Sequence, residues 1–307
     1  MRILYANDLH AFEPFEPHYP KAAIAVPRFF EYLHQHKSTI DLVVIGGDCV
    51  NRGSAQIAEL EWVHEQLCAT GIPFQVVAGN HDIAPSRAFA ERYPGMEDME
   101  ECPLEQTNFG RLFGEKGIRH TMDLAGYKGV FLSVRDEDTD GQVAWLARQL
   151  EDQTPTLLFC HYPLVPSRSD GFCHTWDYGR ISAVIPQLVD LIQCHTDHIR
   201  AYFCGHQHIN SVMPIARTPQ IVTGSVGVGP CCFRMLDITP AGINVTTHRL
   251  PDIPNWLEDA MNPDRSSDHE HPTLIAYHWG NEAERTFTIP GPSCSQTLTQ
   301  ANGRSAT

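Results

Sequence analysis

The chain has no apolar run approaching the roughly 20 residues needed to cross a bilayer as a helix. Its amino end passes from Met1-Arg2 straight into the strand pattern "ILYA", without the charged segment, apolar stretch and cleavage site of an export signal. The expectation is a soluble, unexported, cytoplasmic protein with no membrane partner. Basic residues are scarce, 22 against 37 acidic, for a formal charge of −15. That field repels polyanions and argues against duplex nucleic acid or an anionic membrane as a partner, unless a bound metal inverts it locally. Zinc-knuckle spacing is missing among the ten cysteines. Cys49, Cys160, Cys173, Cys204, Cys231 and Cys232 lie in or beside apolar or aromatic stretches, so they read as reduced core thiols rather than a disulfide framework. Internal repeats are absent, as is any Ser-His-Asp or Cys-His nucleophile motif.

What is present is a globular composition. Hydrophobic residues make up 42% of the 307, enough for one large domain or two ordinary ones. Strand and helix signals alternate. "RILYAND" (2–8), "DLVVIGGD" (41–48) and "PFQVVAGN" (73–80) read as strands. Residues 21–37 and 54–70 between them read as helices, the first with Pro27 as a break or kink and the second behind a Ser cap. A hairpin is predicted over 118–134, a helix over 140–152, strands at 154–162 and 199–206, and a helix over 180–194 between these two. A β-rich stretch runs to about residue 250. Residues 251–307 change character and read as an extension made of a polar linker, a hairpin at 273–289 and a polar tail. The extension is expected to cap the site or to make a subunit contact, as in a homodimer, and the domain proper is 1–250.

The strands end alike. One ends at Asp8 with His10 following, one at Asp48 with Asn51 in "GGDCVNRG", one at Asn80-His81-Asp82, one at His161, and one at His206 and His208 in "CGHQH". Ligands of open α/β sheets collect at the carboxyl ends of strands. "DLH" and "GGD" alone carry little weight. "GNHD" and "GHQH" carry more, because their glycines permit the close backbone approach that lets neighbouring side chains face one ion. Carboxylate, amide and imidazole donors without thiolate suit Mn, Fe or Zn. Two such ions about 3.5–4 Å apart can hold a bridging hydroxide and clamp phosphoryl oxygens, so no protein nucleophile is required.

In the order Asp-x-His, Gly-Asp-x-x-Asn, Gly-Asn-His-Asp, His, Gly-His-x-His, these motifs resemble the calcineurin-like metallophosphoesterase superfamily. Within it the chain looks most like the class III cyclic nucleotide phosphodiesterase and glycerophosphodiesterase branch. The resemblance spans residues 8–208 and implies an α/β fold, a four-layer αββα sandwich, here with a hairpin-containing C-terminal extension. It also implies that Asp8, His10, Asp48 and His208 hold one metal, and that Asp48, Asn80, His161 and His206 hold a second. His81 would face the substrate, oriented by Asp82, and Asn80 would share in substrate binding. Asn51 is assigned to turn geometry, since many relatives are acidic there. Every motif residue precedes residue 250, so the metal site is expected to be complete without the extension.

The segment 163–180 leaves the rim after His161 and is rich in turn residues. It is either an ordinary long loop or a substrate-recognition loop using Arg168, His174 or Arg180 on phosphate or base, with Trp176 or Tyr178 stacking. His195 with His198, and His269 with His271, read as solvated surface residues. The implied reaction is hydrolysis of a small-molecule phosphoester. Phosphodiesterase, phosphomonoesterase and non-catalytic scaffold readings all remain. "GGDCVNRG" resembles the phosphoprotein phosphatase branch, although Asp82 stands where that branch has Glu. Scaffold members tend to lose ligands, whereas every position is filled here.

Overall fold

The alternation along the strands decides the architecture. Ile3 and Tyr5 of β1 (Arg2–Ala6) face one way and Leu4 and Ala6 the other, and all four are fully buried. β2 (Leu42–Ile45) does the same, with Leu42 and Val44 opposite Val43 and Ile45. A strand buried on both faces needs a packed layer on each side. The computed structural model describes residues 1–11, 22–84, 102–135, 138, 140–168, 184–253 and 274–291.

Two six-stranded sheets form the inner layers. The first carries β1, β2, β3 (Phe74–Val76), β10 (Cys232–Thr239), β11 (Gly242–Arg249) and β12 (Thr286–Pro290), in the order β12-β11-β10-β1-β2-β3. The second carries β4 (Arg119–Leu124), β5 (Tyr127–Leu132), β6 (Thr156–Phe159), β7 (Ile199–Cys204), β8 (Ser211–Ile215) and β9 (Thr218–Val222), in the order β4-β5-β6-β7-β9-β8. Between the sheets, Phe131, Phe159 and Phe203 stack with centroids 4.8 and 4.9 Å apart, and Tyr5 of the first sheet meets Phe203 edge-on at 5.4 Å.

Helices cover the outer faces. On the first sheet, α1 (Ala22–His36) contributes Phe29, Phe30 and Leu33, α2 (Ile57–Thr70) contributes Leu60, Val63 and Leu67, and α3 (Asn108–Ile118) contributes Phe109. On the second, α4 (Gln142–Leu150) and α5 (Ile185–Cys194) contribute Leu146, Leu150, Leu188 and Ile192. The result is the four-layer αββα sandwich. β1 to β3 run parallel, as do β5, β6, β7 and β9, so the motif-bearing strand ends of both sheets lie along one rim.

Three local readings change. α2 starts at Ile57 rather than behind Ser54, because residues 53–55 are spent on a turn closed by the Gln56 N–H on the Arg52 carbonyl at 2.8 Å. β8 joins the expected strands. It carries Pro214 and is the edge of its sheet, a position where a missing donor costs little and where the sequence signal is correspondingly weak. The segment 273–289 is not a hairpin. It forms α6 (Leu274–Trp279), α7 (Glu282–Arg285) and β12, which pairs antiparallel with β11. The cause is visible in Asn281-Glu282-Ala283-Glu284. The Asn281 side chain accepts the Glu284 N–H at 3.2 Å and Glu284 Oε2 accepts the Asn281 N–H at 2.8 Å, a capping box that starts a helix where a hairpin turn would lie.

Candidate metal centre

Each site side chain is set by the loop that leaves its strand. Beyond β1 and β2 the two loops are zipped together: Asp8 N–H donates to the Gly47 carbonyl at 2.9 Å, and His10 N–H to the Asp48 carbonyl at 3.0 Å. The backbone is strained at the donors themselves. Asp8, His10, Asp48, His206 and His208 all have left-handed φ, between 46° and 69°. Such conformations cost about 1–3 kcal/mol each in a non-glycine residue and persist where the surroundings over-determine them. Glycines clear the space. A Cβ on Gly47, itself at φ 109°, would lie 2.3 Å from His161 Nδ1, and one on Gly79 would lie 2.2 Å from Asp48 Oδ1.

Among the described residues three donor groups result, the ligand atoms within each lying no more than 4.8 Å from one another: Asp8 with His10 and His208, Asp48 with His161 and His206, and His10 with Asp48 and His81. Asp48 links them. Its Oδ1 accepts the His81 N–H at 2.8 Å, while Oδ2 lies 3.1 Å from His161 Nε2 and 4.0 Å from His10 Nε2. Asp8 Oδ1 lies 3.5 Å from His208 Nε2 and 3.9 Å from His161 Nε2. The imidazole orientations are explained by their other nitrogens. His161 Nδ1–H donates to the Gly46 carbonyl at 2.9 Å, which turns Nε2 toward the centre. His10 and His208 bring their Nε2 atoms to 3.2 Å, and no more than one of these can carry a proton between them.

The electrostatics ask for a cation. Burial alone would raise Asp48, but the imidazoles of His161 and His81 outweigh it and hold the carboxyl well below its ordinary range. Burial would lower His161, but the Asp48 carboxylate lifts it to about 9. Burial, then His81, drive His10 well below its ordinary value, so its imidazole is neutral and able to ligate. Asn80 Oδ1 is buried without a hydrogen-bond partner, an orphan that a metal ion would satisfy. Cys49 adjoins Asp48, but burial raises its thiol well above the usual range, so the donor set stays oxygen and nitrogen. These residues fit divalent or transition ions.

Several sequence-predicted residues have other positions than expected. The His81 ring is held by the backbone of Asn51, whose carbonyl accepts Nδ1–H at 3.0 Å. The Asp82 carboxylate accepts the Gly79 N–H at 2.8 Å and the Val50 N–H at 3.2 Å, tying its own loop to the one after β2, and burial followed by Asp48 pushes it up to about 8. Arg168 is turned toward the carboxyl-terminal segment rather than the metal rim. It pairs with Glu284 and donates to the carbonyls of Asn210 (2.9 Å) and Tyr277 (2.7 Å). His174, with Trp176, Tyr178, Arg180, His269 and His271, lies outside the described residues. The sequence reading missed Ser225, whose Oγ donates to the Asp8 carbonyl at 2.6 Å, and His278, whose ring holds the His208 carbonyl. Neither stands in a motif, and both act across more than 60 intervening residues.

With this geometry established, relatives can be weighed. Residues 1–210 match the model of the calcineurin-like phosphoesterases, and the chain belongs to that family. It is 27% identical over 199 residues to a probable cyclic nucleotide phosphodiesterase of Psychrobacter sp. strain PRwf-1, covering 61% of this chain and 52% of that one. The chain thus spans about half the length of the curated relatives it matches. Among solved structures it is similar to a dimetal phosphatase from Danio rerio (TM-score 0.54, 14% identity, 80% of this chain and 95% of that one). It is also similar to GAP50, described as the anchor in the inner membrane complex of Plasmodium (TM-score 0.55, 13% identity, 82% and 85%). At such identities the likeness shows the fold alone. Among the described residues no helix is long and apolar enough to cross a membrane.

Proposed function

We propose that this chain is a hydrolase cleaving a small organic phosphodiester, of cyclic nucleotide or glycerophosphodiester type, with two divalent or transition metal ions. One observation carries the reading: Asp48 turns one oxygen toward both donor groups while its other oxygen is tied to the His81 amide. Asp8, His10 and His208 would hold one ion, and Asp48, Asn80, His161 and His206 the other, with Asp48 shared. Manganese, iron or zinc bound there would supply Lewis acidity toward phosphoryl oxygens and a water acidic enough to attack at neutral pH.

The chain's own residues supply position and a proton. His81 Nδ1–H is committed to the Asn51 carbonyl, so Nε2 carries a proton only in the imidazolium form. In that form Nε2–H donates to the departing alkoxide and the ring returns to neutral. General-acid assistance of this kind is worth about 10²–10⁴-fold. The diester preference is supported by the name of the Psychrobacter relative. A reducing, cytoplasmic setting agrees with the eight described cysteines, all free thiols.

The test is a substrate panel on protein stripped of metal and reloaded with Mn²⁺. It compares 3′,5′- and 2′,3′-cyclic nucleotides, glycerophosphodiesters, a bis-aryl phosphodiester and an aryl phosphomonoester. Turnover that is abolished by chelation and highest on an alkyl diester is expected. Highest turnover on the monoester would move the reading to a phosphatase. No divalent ion bound and no turnover on any substrate would leave only a scaffold role.

A further inference from the structure

His208 presents its ring from a backbone held at φ 55°. Part of what holds it arrives from 70 residues later. His278 Nδ1–H donates to the His208 carbonyl at 3.1 Å, and the Asn210 N–H donates back to the His278 carbonyl at 2.9 Å. A carbonyl can only accept, so the His278 proton sits on Nδ1. Asn210 is buried and extends the link. Its Nδ2 donates to the Trp279 carbonyl at 3.2 Å, and its Oδ1 accepts the Gly224 N–H at 3.0 Å.

Arg168 straps this arrangement from the other side. Its guanidinium holds the carbonyls of Asn210 and Tyr277, lies 5.0 Å over the Tyr277 ring and pairs with Glu284. Glu284 is fixed in turn by the Asn281 capping box, and its carbonyl accepts from the buried Arg234 at 2.9 Å. The segment then runs into β12, which is paired to β11. Residues 277–284 are therefore tied at one end to the ligand-bearing loop and at the other to the first sheet.

We propose that residues 277–284 are a clamp on the His208 loop, and that His278 is the positioning residue through which the clamp sets the metal affinity of the Asp8, His10 and His208 group. The inference rests on the metal-centre reading above. His278 touches no reacting atom in this scheme and acts only through the His208 backbone. Groups that brace a metal ligand typically govern about 10–100-fold in metal affinity. On this proposal the metal site draws on residues beyond 250.

The test uses the full chain, stripped of metal and titrated with Mn²⁺ by calorimetry, with electron paramagnetic resonance as a second readout. Wild type is expected to bind two ions in separable steps. In His278→Ala one step weakens by about 10–100-fold and the other stays put. His278→Asn, whose side-chain amide can donate to the same carbonyl, recovers most of the loss. Thermal midpoints of the metal-free variants serve as the reference for folding. Two unchanged steps overturn the proposal, as does equal weakening of both steps or a loss that His278→Asn fails to recover. If His278→Ala does not fold, Arg168→Lys decides, because it loosens the strap and leaves His278 in place. Weakening of the same single step is expected, and an unchanged titration overturns the clamp. A wild type that binds no ion overturns the metal-centre reading itself, an outcome distinct from failure of the clamp alone.

Discussion

The two donor groups on the rim are held by different means. Both follow interior strands, Asp48, His161 and His206 after β2, β6 and β7, and Asp8, His10 and His208 after β1 and β7. The braces of the first group stand in the strand-end loops themselves: the Gly46 carbonyl takes His161 Nδ1–H, and the rings of Tyr162 and His206 lie 5.1 Å apart. Asp8 and His208 are also braced from outside those loops. Ser225 braces the Asp8 carbonyl, Gly227 N–H donates to it at 3.0 Å, and His278 braces His208. The His208 side chain is also the more open, 13% exposed, against none for His161. A group braced within the strand-end loops shifts only when those loops shift. A group braced from outside them can be tightened or loosened by what the outer segments touch. The same rim thus holds a stiff half and an adjustable half.

The largest expected effect erases the distinction. Asp48→Ala removes the carboxylate both halves share, and metal analysis of the purified variant should find neither ion, with turnover at background. Retention of one ion would assign Asp48 to a single half. His81→Ala comes next. It should keep both ions and lose about 10²–10⁴-fold on a diester with an alkyl leaving group, but little on a nitrophenyl one. Equal losses on the two substrates would give His81 a binding role instead, and loss of an ion would make it a ligand.

Ser225→Ala probes the adjustable half. The hydroxyl donates to the Asp8 carbonyl and accepts the Val228 N–H at 2.8 Å, so its removal strands buried partners and costs about 1–3 kcal/mol of stability in denaturant melts. Mn²⁺ titration should weaken at one step only. Equal weakening of both steps would show the halves to be coupled through the loop.

The smallest effect lies away from the rim. Lys128 hydrogen-bonds Asp152 and holds its carboxyl down at about 2. A carboxyl depressed in the folded state stabilises above its ordinary value of 3.8, and that stabilisation is lost as pH falls toward 2. The pair is largely exposed on the Asp152 side, so Asp152→Asn should cost under about 1 kcal/mol at neutral pH and flatten the melts between those pH values. Metal binding should be unchanged. An altered titration would mean that the rim responds to surface charge at a distance.

Much of this was legible along the chain, because period-two burial and strand-ending glycines are local signals. "DLVVIGGD" and "FQVVAGNHD" contain both the buried strand and the space their side chains need. The Asn281-x-x-Glu284 capping signal was equally local, but a run rich in apolar and aromatic residues on either side hid it. Arg168 and Asp82 have partners that the sequence did not point to. Both stand in segments adjoining the site, and adjacency in sequence does not say which way a side chain turns. Asp82 took one amide of its own loop and one of the loop after β2, and Arg168 reached a carboxylate 116 residues away.

The sequence by itself determined the layered α/β class, the strands that make the rim and the residue types gathered there, since each depends on hydrophobic period and on backbone freedom within a few residues. Only the tertiary structure decided which oxygen of Asp48 faces which group, that the Asn51 carbonyl holds the His81 ring, and that a late segment closes on His208. Those choices depend on hydrogen bonds between parts of the chain that meet only after the two sheets have packed, and no local pattern carries that information.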